Sequence, residues 1–350
     1  MKNESQGLVL YRKYRPAKFS DVVGQEQVVK VLEGSAKLGN ISHSYLFAGS
    51  RGTGKTSVAR IFAAAIGCSP NDIYEIDAAS NRGIDDVRAI RDGVFSLPFE
   101  SPFKVYIIDE AHMLTKEAWN AFLKTLEEPP KHVIFILATT EMEKVPETVI
   151  SRCQIFQFKK PTTVMLKELT MEVAKKEGFS LDSAGAELIA LLGEGSFRDT
   201  LGILQKVVSF SKDKKISVDE IGIVTGAPKG VLLNDFLKAL SEKNTAAAIS
   251  ALKEAGKSNV DMKVFLKLAL QKLRYVLLLR FVKEMENQIA ADVSDADLKF
   301  LKTLAAMPES GISSATLSEL LLAHDQISRA FIPELPIELA LLRIFDGKRN

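Results

Sequence analysis

A glycine-rich segment near the start of the chain constrains the fold more than any other feature. Gly49–Ser57 reads Gly-Ser-Arg-Gly-Thr-Gly-Lys-Thr-Ser and matches the pattern G-x-x-x-x-G-K-[ST]. The apolar run Tyr45–Phe47 before it predicts a strand, and the run from Ser57 to Ile66 predicts a helix. A strand that turns through glycines into a helix gathers backbone N–H groups at the helix N-terminus, where they can bind phosphate. The segment therefore predicts a phosphate-binding loop for a nucleoside triphosphate.

The residue types in this loop match the chemistry of bound ATP. We predict that Lys55 neutralises the β- and γ-phosphates and that the Thr56 hydroxyl is a ligand of Mg²⁺. The predicted nucleotide-binding residues of the loop are Gly49, Ser50, Arg51, Gly52, Thr53, Gly54, Lys55, Thr56 and Ser57. A chance match in an ordinary strand-turn-helix is the alternative, and the strand before the loop and the helix after it weaken that alternative.

An acidic pair follows a second apolar run. Val105–Ile108 is apolar and rich in β-branched residues, which indicates a buried parallel strand, and Asp109 and Glu110 end it. Downstream of a phosphate loop, the first acid would orient Mg²⁺ and the second would polarise the attacking water. An acidic pair alone is more typical of a solvated strand end. Together with the loop, it predicts ATP hydrolysis with Lys55 and Glu110 as catalytic residues.

Composition excludes several classes of protein. The net charge of +2 is far from that of a protein that coats nucleic acid on its own, so any nucleic-acid contact must be local or assembled from several subunits. The sequence contains no run of ~18 apolar residues, and its first residues lack the apolar core of a signal peptide, which favours a cytoplasmic protein without membrane contact. Cys68 and Cys153 are the only cysteines, too few for a four-thiolate site, so we predict no zinc.

Alternating strand and helix patterns organise the first part of the chain, and helical patterns the rest. The predicted strands are Ser44 to Phe47, Tyr74 to Asp77, Val105 to Asp109, Val133 to Thr139 and Gln154 to Phe158. The predicted helices are Gln25 to Lys37, Lys55 to Ile66, Ile84 to Phe95 and Lys116 to Glu127. From Thr162 onward strand signals fade, and Gly and Pro cluster between Thr225 and Gly230. The predicted domains are a nucleotide-binding domain (1–160) and two helical domains (161–226 and 227–350).

Six stretches of the sequence resemble the gamma/tau family of bacterial DNA polymerase III, the AAA+ ATPases of the sliding-clamp loader, and they occur in the same order as in that family. They are Tyr11 to Pro16 with Phe19 and Val22 to Gln25; Gly49 to Ser57; Glu75 to Ser80; Val105 to Met113; Leu126 to Pro130; and Ser151 to Cys153. The resemblance implies an α/β P-loop AAA+ domain followed by a helical lid and an all-α collar. It also implies a motor subunit that uses ATP to open the sliding clamp and load it on primer-template DNA. The implied partners are copies of itself and other clamp-loader subunits in a hetero-oligomeric ring or spiral.

The resemblance assigns further nucleotide contacts. Tyr11, Arg15 and Val23 correspond to the wall beside adenine. Thr139 and Thr140 end the strand beside the phosphate loop, where the family places a polar sensor of the γ-phosphate. Alternation along a strand leaves open which of the two threonines faces the site. Arg198, in Gly195–Asp199, resembles the lid arginine that contacts the phosphates of the same subunit.

Arg152 resembles the arginine finger of the family, which acts in trans on ATP bound by a neighbouring subunit. A guanidinium delivered by a neighbour stabilises the transition state only in the complete assembly, so hydrolysis would depend on assembly. From the residues alone, a surface arginine that follows a helix is the preferred interpretation of Arg152.

DNA contacts are predicted at the starts of two helices. Arg82 precedes one predicted helix, and Thr115 and Lys116 begin another. Helix N-termini bind anions, and DNA phosphates are anions of this kind. The alternative is that Thr115 is only an N-cap and Arg82 only a solvated charge. Arg88 and Arg91 either join the DNA contacts or pair with Asp85, Asp86 and Asp92.

The chain departs from the family in two ways. Family members usually carry a four-cysteine zinc module that begins near Cys68, whereas here Cys68–Asp72 leads directly into the next strand. The chain also stops after the collar-like helices, as a short form or a fragment would. A small subunit of replication factor C remains the alternative function, while a branch-migration motor and a non-catalytic scaffold fit the motifs less well.

Overall fold

The computed structural model describes residues 8–345, which form two compact units. The first unit comprises the chain up to Leu169 together with Gly193–Gly202, and the second comprises Thr170–Leu192 together with the chain from Ile203 onward. None of the helices between residues 8 and 345 combines the length and apolar character that spanning a bilayer would require. Each unit has its own apolar core.

A five-stranded parallel sheet forms the centre of the first unit. Its strands are β1 (Ser44–Ala48), β2 (Ile73–Asp77), β3 (Lys104–Asp109), β4 (Val133–Thr139) and β5 (Gln154–Gln157). Their order across the sheet is β2-β3-β4-β1-β5. All neighbouring pairs are parallel, with Ala48 beside Thr139 and Asp77 beside Asp109. The carboxyl ends of β3, β4 and β1 therefore lie next to one another along one edge.

Helices cover both faces of this sheet because its inner strands alternate their apolar side chains between the two faces. Tyr45 and Phe47 face the core formed with α2 (Glu26–Leu38) and α3 (Lys55–Ala65). Leu46 belongs to the opposite core, which α4 (Ile84–Val94) and α5 (Lys116–Glu127) close. The remaining helices of the first unit are α1 (Leu10–Lys13) and α6 (Glu147–Ile150), with the beginnings of α7 (Thr163–Lys176) and α9 (Phe197–Phe210).

The second unit is almost entirely helical. Besides the rest of α7 and α9, its helices are α8 (Ser183–Leu192), α10 (Val218–Thr225), α11 (Gly230–Ser241), α12 (Thr245–Lys257), α13 (Met262–Phe281), α14 (Glu286–Asp292), α15 (Asp295–Ala305), α16 (Ser314–Ile327) and α17 (Leu335–Phe345). A core around Phe236, Phe265 and Leu320 joins α11 to α17. Strands β6 (Ser180–Leu181) and β7 (Lys215–Ile216) form a short parallel pair.

The sequence predicted these elements closely. The predicted strands and helices of the first unit occur within one residue of their expected bounds, and the α/β AAA+ architecture followed by helical regions is confirmed. The pair β6 and β7 was missed because two residues are too short to show a period of two. The predicted boundary at residues 225–230 is a helix break, where Gly226 ends α10 in the left-handed region at φ 69°. The division into three domains remains a prediction, and residues 1–7 and 346–350 of its outer domains lie outside the described residues.

A buried carboxylate closes the turn that follows Cys68, the position at which the resemblance implies a zinc module. Asp72 is fully buried, and its oxygens accept hydrogen bonds from the backbone N–H groups of Phe99, Glu100 and Ser101 and from the Ser101 hydroxyl at 2.6 Å. Burial by itself raises the pKa of a carboxyl, but these hydrogen bonds outweigh it and lower the pKa of Asp72 to about 2. The ionised carboxylate thus connects the Cys68–Asp72 turn to residues 99–101.

Replacing Asp72 by asparagine is expected to destabilise the first unit by about 2–3 kcal/mol at pH 7, the usual contribution of hydrogen bonds to a charged group. Because the folded-state pKa is depressed, the stabilisation is complete above the unfolded pKa of 3.8 and is lost as the pH falls toward 2. Urea unfolding followed by fluorescence of Trp119, the single tryptophan, should show a difference at pH 7 that shrinks at pH 3. The exposed Asp92 provides the control variant Asp92→Asn, and equal effects of the two substitutions would contradict the role of Asp72.

Candidate nucleotide site

The three adjacent strand ends bring the predicted catalytic residues together. The phosphate loop follows β1. Asp109 ends β3 and is followed by Glu110, and Thr139 ends β4, the strand between β3 and β1, and is followed by Thr140. One cavity in the first unit is lined by residues of the loop and by most of the other predicted nucleotide contacts. The predicted residues among its lining are Tyr11, Arg15, Val23, Arg51, Gly52, Thr53, Gly54, Lys55, Thr56, Ser57, Asp109, Glu110 and Arg198.

Lys55 is buried inside the phosphate loop. Its ammonium donates hydrogen bonds to the carbonyl oxygens of Gly49 (2.7 Å) and Ser50 (3.0 Å). Burial lowers the pKa of Lys55, while the nearby carboxylates of Glu110 and Asp109 act in the opposite direction. The loop thus holds a cation at the first turn of α3, where a phosphate group would complete its neutralisation.

The loop requires its glycines because other segments pack directly against it. Gly52 has φ 74°, and a Cβ there would overlap the hydroxyl of Ser196. The Phe197 N–H also donates to the Gly52 carbonyl at 3.0 Å. Gly49 has φ 153°, and a Cβ there would lie 2.5 Å from the Phe158 carbonyl oxygen. The segment Gly193–Gly202 is therefore fixed to the phosphate loop within the first unit.

The site fits a triphosphate with a hard cation. The Thr56 hydroxyl donates to Asp109 Oδ2 at 2.8 Å, so two oxygen ligands of the kind Mg²⁺ prefers already meet. Within residues 8–345, no side chain caps the N-terminus of α3, and the buried Ser50 hydroxyl has no hydrogen-bond partner. Unpaired N–H groups at a helix start attract anions. Thr56 and Asp109 would hold the cation, and the loop would hold the phosphates.

The structure distinguishes the two threonines at the end of β4. The Thr140 hydroxyl donates to Glu110 Oε2 at 2.9 Å, beside the nucleotide cavity. Thr139 is fully buried, and its hydroxyl lies 3.1 Å from His112 Nδ1. Glu110 itself has φ 50°, a left-handed conformation that is uncommon for a residue with a side chain. The Thr140 hydroxyl therefore points toward Glu110, which lines the cavity, and the Thr139 hydroxyl points toward His112 in the interior.

The cavity is lined by more residues than the sequence suggested. The predicted Tyr11, Arg15 and Val23 all line it, and the guanidinium carbon of Arg198 lies 5.7 Å from the centre of the Tyr11 ring. Burial lowers the pKa of Arg15, and neighbouring Arg60 lowers it further. The lining residues that were not predicted are Tyr14, Pro16, Asp21, Val22, Val58, Leu169, Phe197 and Leu201. These residues are scattered over four segments of the chain, and residues so far apart give no sequence signal of a shared pocket.

Arg152 lies outside the lining of this cavity. It forms a 2.6 Å ion pair with Glu127 and donates to the Thr148 carbonyl at 2.6 Å, while its side chain remains 35% exposed. This placement is compatible with the predicted action in trans, which remains a prediction. Sequence reasoning did not anticipate the pairing with Glu127, since residues 25 positions apart show no common pattern.

The two predicted DNA-contacting helix starts lie side by side. The Thr115 N–H donates to the Arg82 carbonyl at 3.1 Å, and both Arg82 and Lys116 are exposed. The Thr115 hydroxyl caps α5 by accepting from the Ala118 N–H, so its role as an N-cap is confirmed. The alternative for the other arginines is also confirmed, since they form the ion pairs Arg88–Asp85 and Arg91–Asp92. The DNA contacts themselves remain a prediction.

Comparisons with known proteins agree with this architecture. The family described as DNA polymerase III, delta subunit, matches residues 24–83 and 71–162. The tau subunit of DNA polymerase III from Bacillus subtilis is 44% identical over 266 residues, which are 70% of this chain and 47% of that protein. The gamma subunit from Buchnera aphidicola is 32% identical over 312 residues, 83% of this chain and 86% of that protein. The Thermotoga maritima RuvB branch-migration motor has the same fold, with a TM-score of 0.52 at 24% identity over 65% of this chain and 79% of RuvB.

The sheet order, the phosphate loop and the acidic strand end define a P-loop protein of the AAA+ class. Similarity over most of the length of the Buchnera protein then identifies the particular group within that class. The chain belongs to the gamma/tau family of bacterial DNA polymerase III subunits. It spans about half the length of several curated relatives that it matches, including 47% of the Bacillus subtilis protein and 55% of the Escherichia coli tau subunit.

Proposed function

We propose that this chain is an ATP-hydrolysing motor subunit of the DNA polymerase III clamp loader, which opens the sliding clamp and loads it on primed DNA. The observation that carries the proposal is the convergence of four groups beside buried Lys55, in a chain of the gamma/tau family. Three of these groups, Thr56, Asp109 and Glu110, line the same cavity as Lys55, and the fourth, Thr140, joins them through its hydrogen bond to Glu110. A non-catalytic scaffold would not need this set of charged and hydroxyl groups at one strand edge.

Binding of the triphosphate is the task of the loop and its lysine. Backbone N–H groups at the start of α3 would donate to the phosphate oxygens. The Lys55 ammonium would give up a hydrogen bond to a loop carbonyl and donate to the phosphate oxygens instead. Thr56 and Asp109 would hold Mg²⁺, which would supply positive charge to offset the charge developing on the phosphates. Arg198, which already lies at the cavity beside Tyr11, is placed to add a second cation from the same chain.

Activation of the attacking water is the task of Glu110. Its carboxylate lies at the cavity, but Oε2 is already occupied by the hydrogen bond from Thr140. A γ-phosphate beside Thr140 would offer that hydroxyl an alternative acceptor and leave the Glu110 carboxylate able to accept a proton from water. Thr140 would thereby couple the presence of the γ-phosphate to the readiness of the general base.

The partners follow from the same proposal. Copies of this chain and other clamp-loader subunits would form a ring or spiral in the cytoplasm, and Arg152 of each subunit would reach the nucleotide of a neighbour. The adjacent starts of α4 and α5, with exposed Arg82 and Lys116, would contact the phosphate backbone of primer-template DNA. The absence of zinc remains part of the proposal.

Steady-state ATP hydrolysis by the full chain tests the proposed function. We expect slow turnover by the chain alone and a clear increase when primed DNA, the sliding clamp and the companion loader subunits are added together. Omitting each addition in turn shows which of them stimulates hydrolysis. No ATP hydrolysis in the complete mixture would refute the proposal, and hydrolysis unaffected by DNA and clamp would refute its link to clamp loading.

Removing Arg82 and Lys116 together should weaken DNA binding independently of sequence. Each phosphate contact contributes about one unit to the slope of log K against log salt concentration, so Arg82→Ala/Lys116→Ala should reduce this slope by about 2. Fluorescence anisotropy with primed DNA and the assembled loader measures it. Arg88→Ala is the matched control, because Arg88 is held by Asp85 on the same helix. Equal slopes for the double variant and the wild type would remove these residues from the DNA contact.

A further inference from the structure

His112 lies between the two strand ends that carry Glu110 and Thr140. It belongs to the short turn Ala111–Met113 that follows β3, and its side chain is only 6% exposed. On one side, Nδ1 lies 3.1 Å from the Thr139 hydroxyl and 3.5 Å from Glu110 Oε2. On the other side, Nε2 lies 3.3 Å from Glu141 Oε1. One imidazole thus contacts the residues on either side of Thr140.

The hydrogen-bond roles follow from what each partner can do. A carboxylate only accepts, and the Glu141 carboxylate on Nε2 (3.3 Å) lies closer than the Glu110 carboxylate on Nδ1 (3.5 Å), so we assign the ring proton to Nε2, which donates to Glu141. Nδ1 then accepts from the Thr139 hydroxyl, whose oxygen in turn accepts from the Glu141 N–H at 3.1 Å. The ring, Thr139 and Glu141 form a closed set of bonds in which every member is satisfied. Such a closed set fixes a local geometry more firmly than isolated bonds do.

We propose that His112 is a positioning residue for Glu110, and this inference rests on the proposed ATP hydrolysis. The imidazole ties the end of β4, at Thr139 and Glu141, to the turn that begins at Glu110. Thr140 lies between its two contact points and donates to Glu110. By fixing the β4 end relative to that turn, His112 sets the distance between the threonine that responds to phosphate and the carboxylate that activates water.

A simple packing role would not produce this arrangement. A buried histidine that only fills space needs one partner for each ring nitrogen, and any carbonyl or hydroxyl would serve. Here both partners belong to the three residues Thr139–Glu141 around the phosphate-responsive threonine. The left-handed backbone of Glu110 adds to the argument, because a strained residue keeps its conformation only where its surroundings hold it.

Two amide substitutions of His112 distinguish the contribution of Nδ1 from that of Nε2. The amide of asparagine lies near the position of Nδ1 and can accept from Thr139, whereas the amide of glutamine reaches the position of Nε2 and contacts Glu141. In the assay with primed DNA, clamp and companion subunits, we expect His112→Gln to lower kcat roughly 10- to 100-fold, the usual range for residues that orient a catalytic group. KM for ATP should change less than about threefold, and His112→Asn should recover most of the lost kcat.

A double-mutant cycle with Thr139→Val tests whether His112 affects kcat through the Thr139 hydroxyl. If His112 acts through the Thr139 hydroxyl, Thr139→Val should lower kcat by itself, and His112→Gln should cause little further loss in that background. Trp119 fluorescence during urea unfolding shows whether each variant is folded at the assay temperature.

Three outcomes would overturn the positioning role. The first is a wild-type kcat in His112→Gln. The second is an equal loss of kcat in His112→Asn and His112→Gln, together with a raised KM for ATP. The third is a loss of kcat from His112→Gln that is the same with and without Thr139→Val. If the wild-type chain itself does not hydrolyse ATP in the complete mixture, the proposed function fails, and the positioning role fails with it. Active wild type with an unaffected His112→Gln variant refutes the positioning role alone.

Discussion

Replacing Glu110 by glutamine is expected to reduce ATP hydrolysis at least ~100-fold while leaving ATP affinity nearly unchanged. Loss of a general base typically costs a factor of ~10² to 10⁴ in rate. Glutamine has the same length, and its amide oxygen can still accept from the Thr140 hydroxyl, so the strand ends should keep their arrangement. Glu110 is not among the residues that hold the phosphates or the cation. Single-turnover hydrolysis and equilibrium titration with ATP measure the two effects separately.

Lys55→Ala is the matched control for this prediction, because it should impair ATP binding, the step before hydrolysis. Removing the buried ammonium leaves the phosphates without their main cation, so ATP affinity itself should fall sharply. The two variants together separate binding from chemistry. Undiminished turnover in Glu110→Gln would exclude Glu110 as the base, and unchanged ATP affinity in Lys55→Ala would exclude the loop as the phosphate site.

The second large effect is expected when Arg152→Ala and Lys55→Ala proteins are mixed. Arginine fingers contribute a factor of ~10³ to 10⁵ in rate, so Arg152→Ala alone should be nearly inactive although it binds ATP. Lys55→Ala lacks the phosphate lysine but can still offer its arginine. In mixed assemblies some sites combine Lys55 of one chain with Arg152 of the next, and DNA-stimulated hydrolysis should partly recover.

The double variant Lys55→Ala/Arg152→Ala provides the control. Mixed with Arg152→Ala, it forms assemblies in which no site has both groups, so activity should not return. Size-exclusion chromatography shows whether the proteins assemble together. Failure to recover activity in the informative mixture despite assembly would reject action in trans, and wild-type hydrolysis by Arg152→Ala alone would reject any catalytic role.

Much of the site could be predicted because its parts lie in short continuous segments. The loop Gly49–Ser57 and the acids Asp109 and Glu110 each occupy one segment, and the rule that parallel strands end at a common edge brings them together. In the structure Asp109, Glu110 and the loop residues from Arg51 to Ser57 line one cavity, as expected. The carbonyl groups of Gly49 and Ser50 accept hydrogen bonds from Lys55 in the same loop. Tyr11, Arg15, Val23 and Arg198 were placed only through the family resemblance, and these too line the cavity.

The remaining features depend on side-chain directions that a sequence does not encode locally. Alternation along β4 could not show which way the Thr139 and Thr140 hydroxyls point, whereas the structure places them against His112 and Glu110. His112 itself was missed because a histidine after two acids has no spacing that signals its distant partners. The pairing of Arg152 with Glu127 was missed for the same reason.

The turn at Asp72 differs from a metal-held module in the conditions that leave it intact. A zinc module is released by chelators and by thiol oxidation, since its ligands are thiolates. The Asp72 turn is held by one ionised carboxylate and four donors, so its integrity depends on proton concentration. Metal starvation leaves these bonds unchanged, and only strong acid removes the charge that holds them.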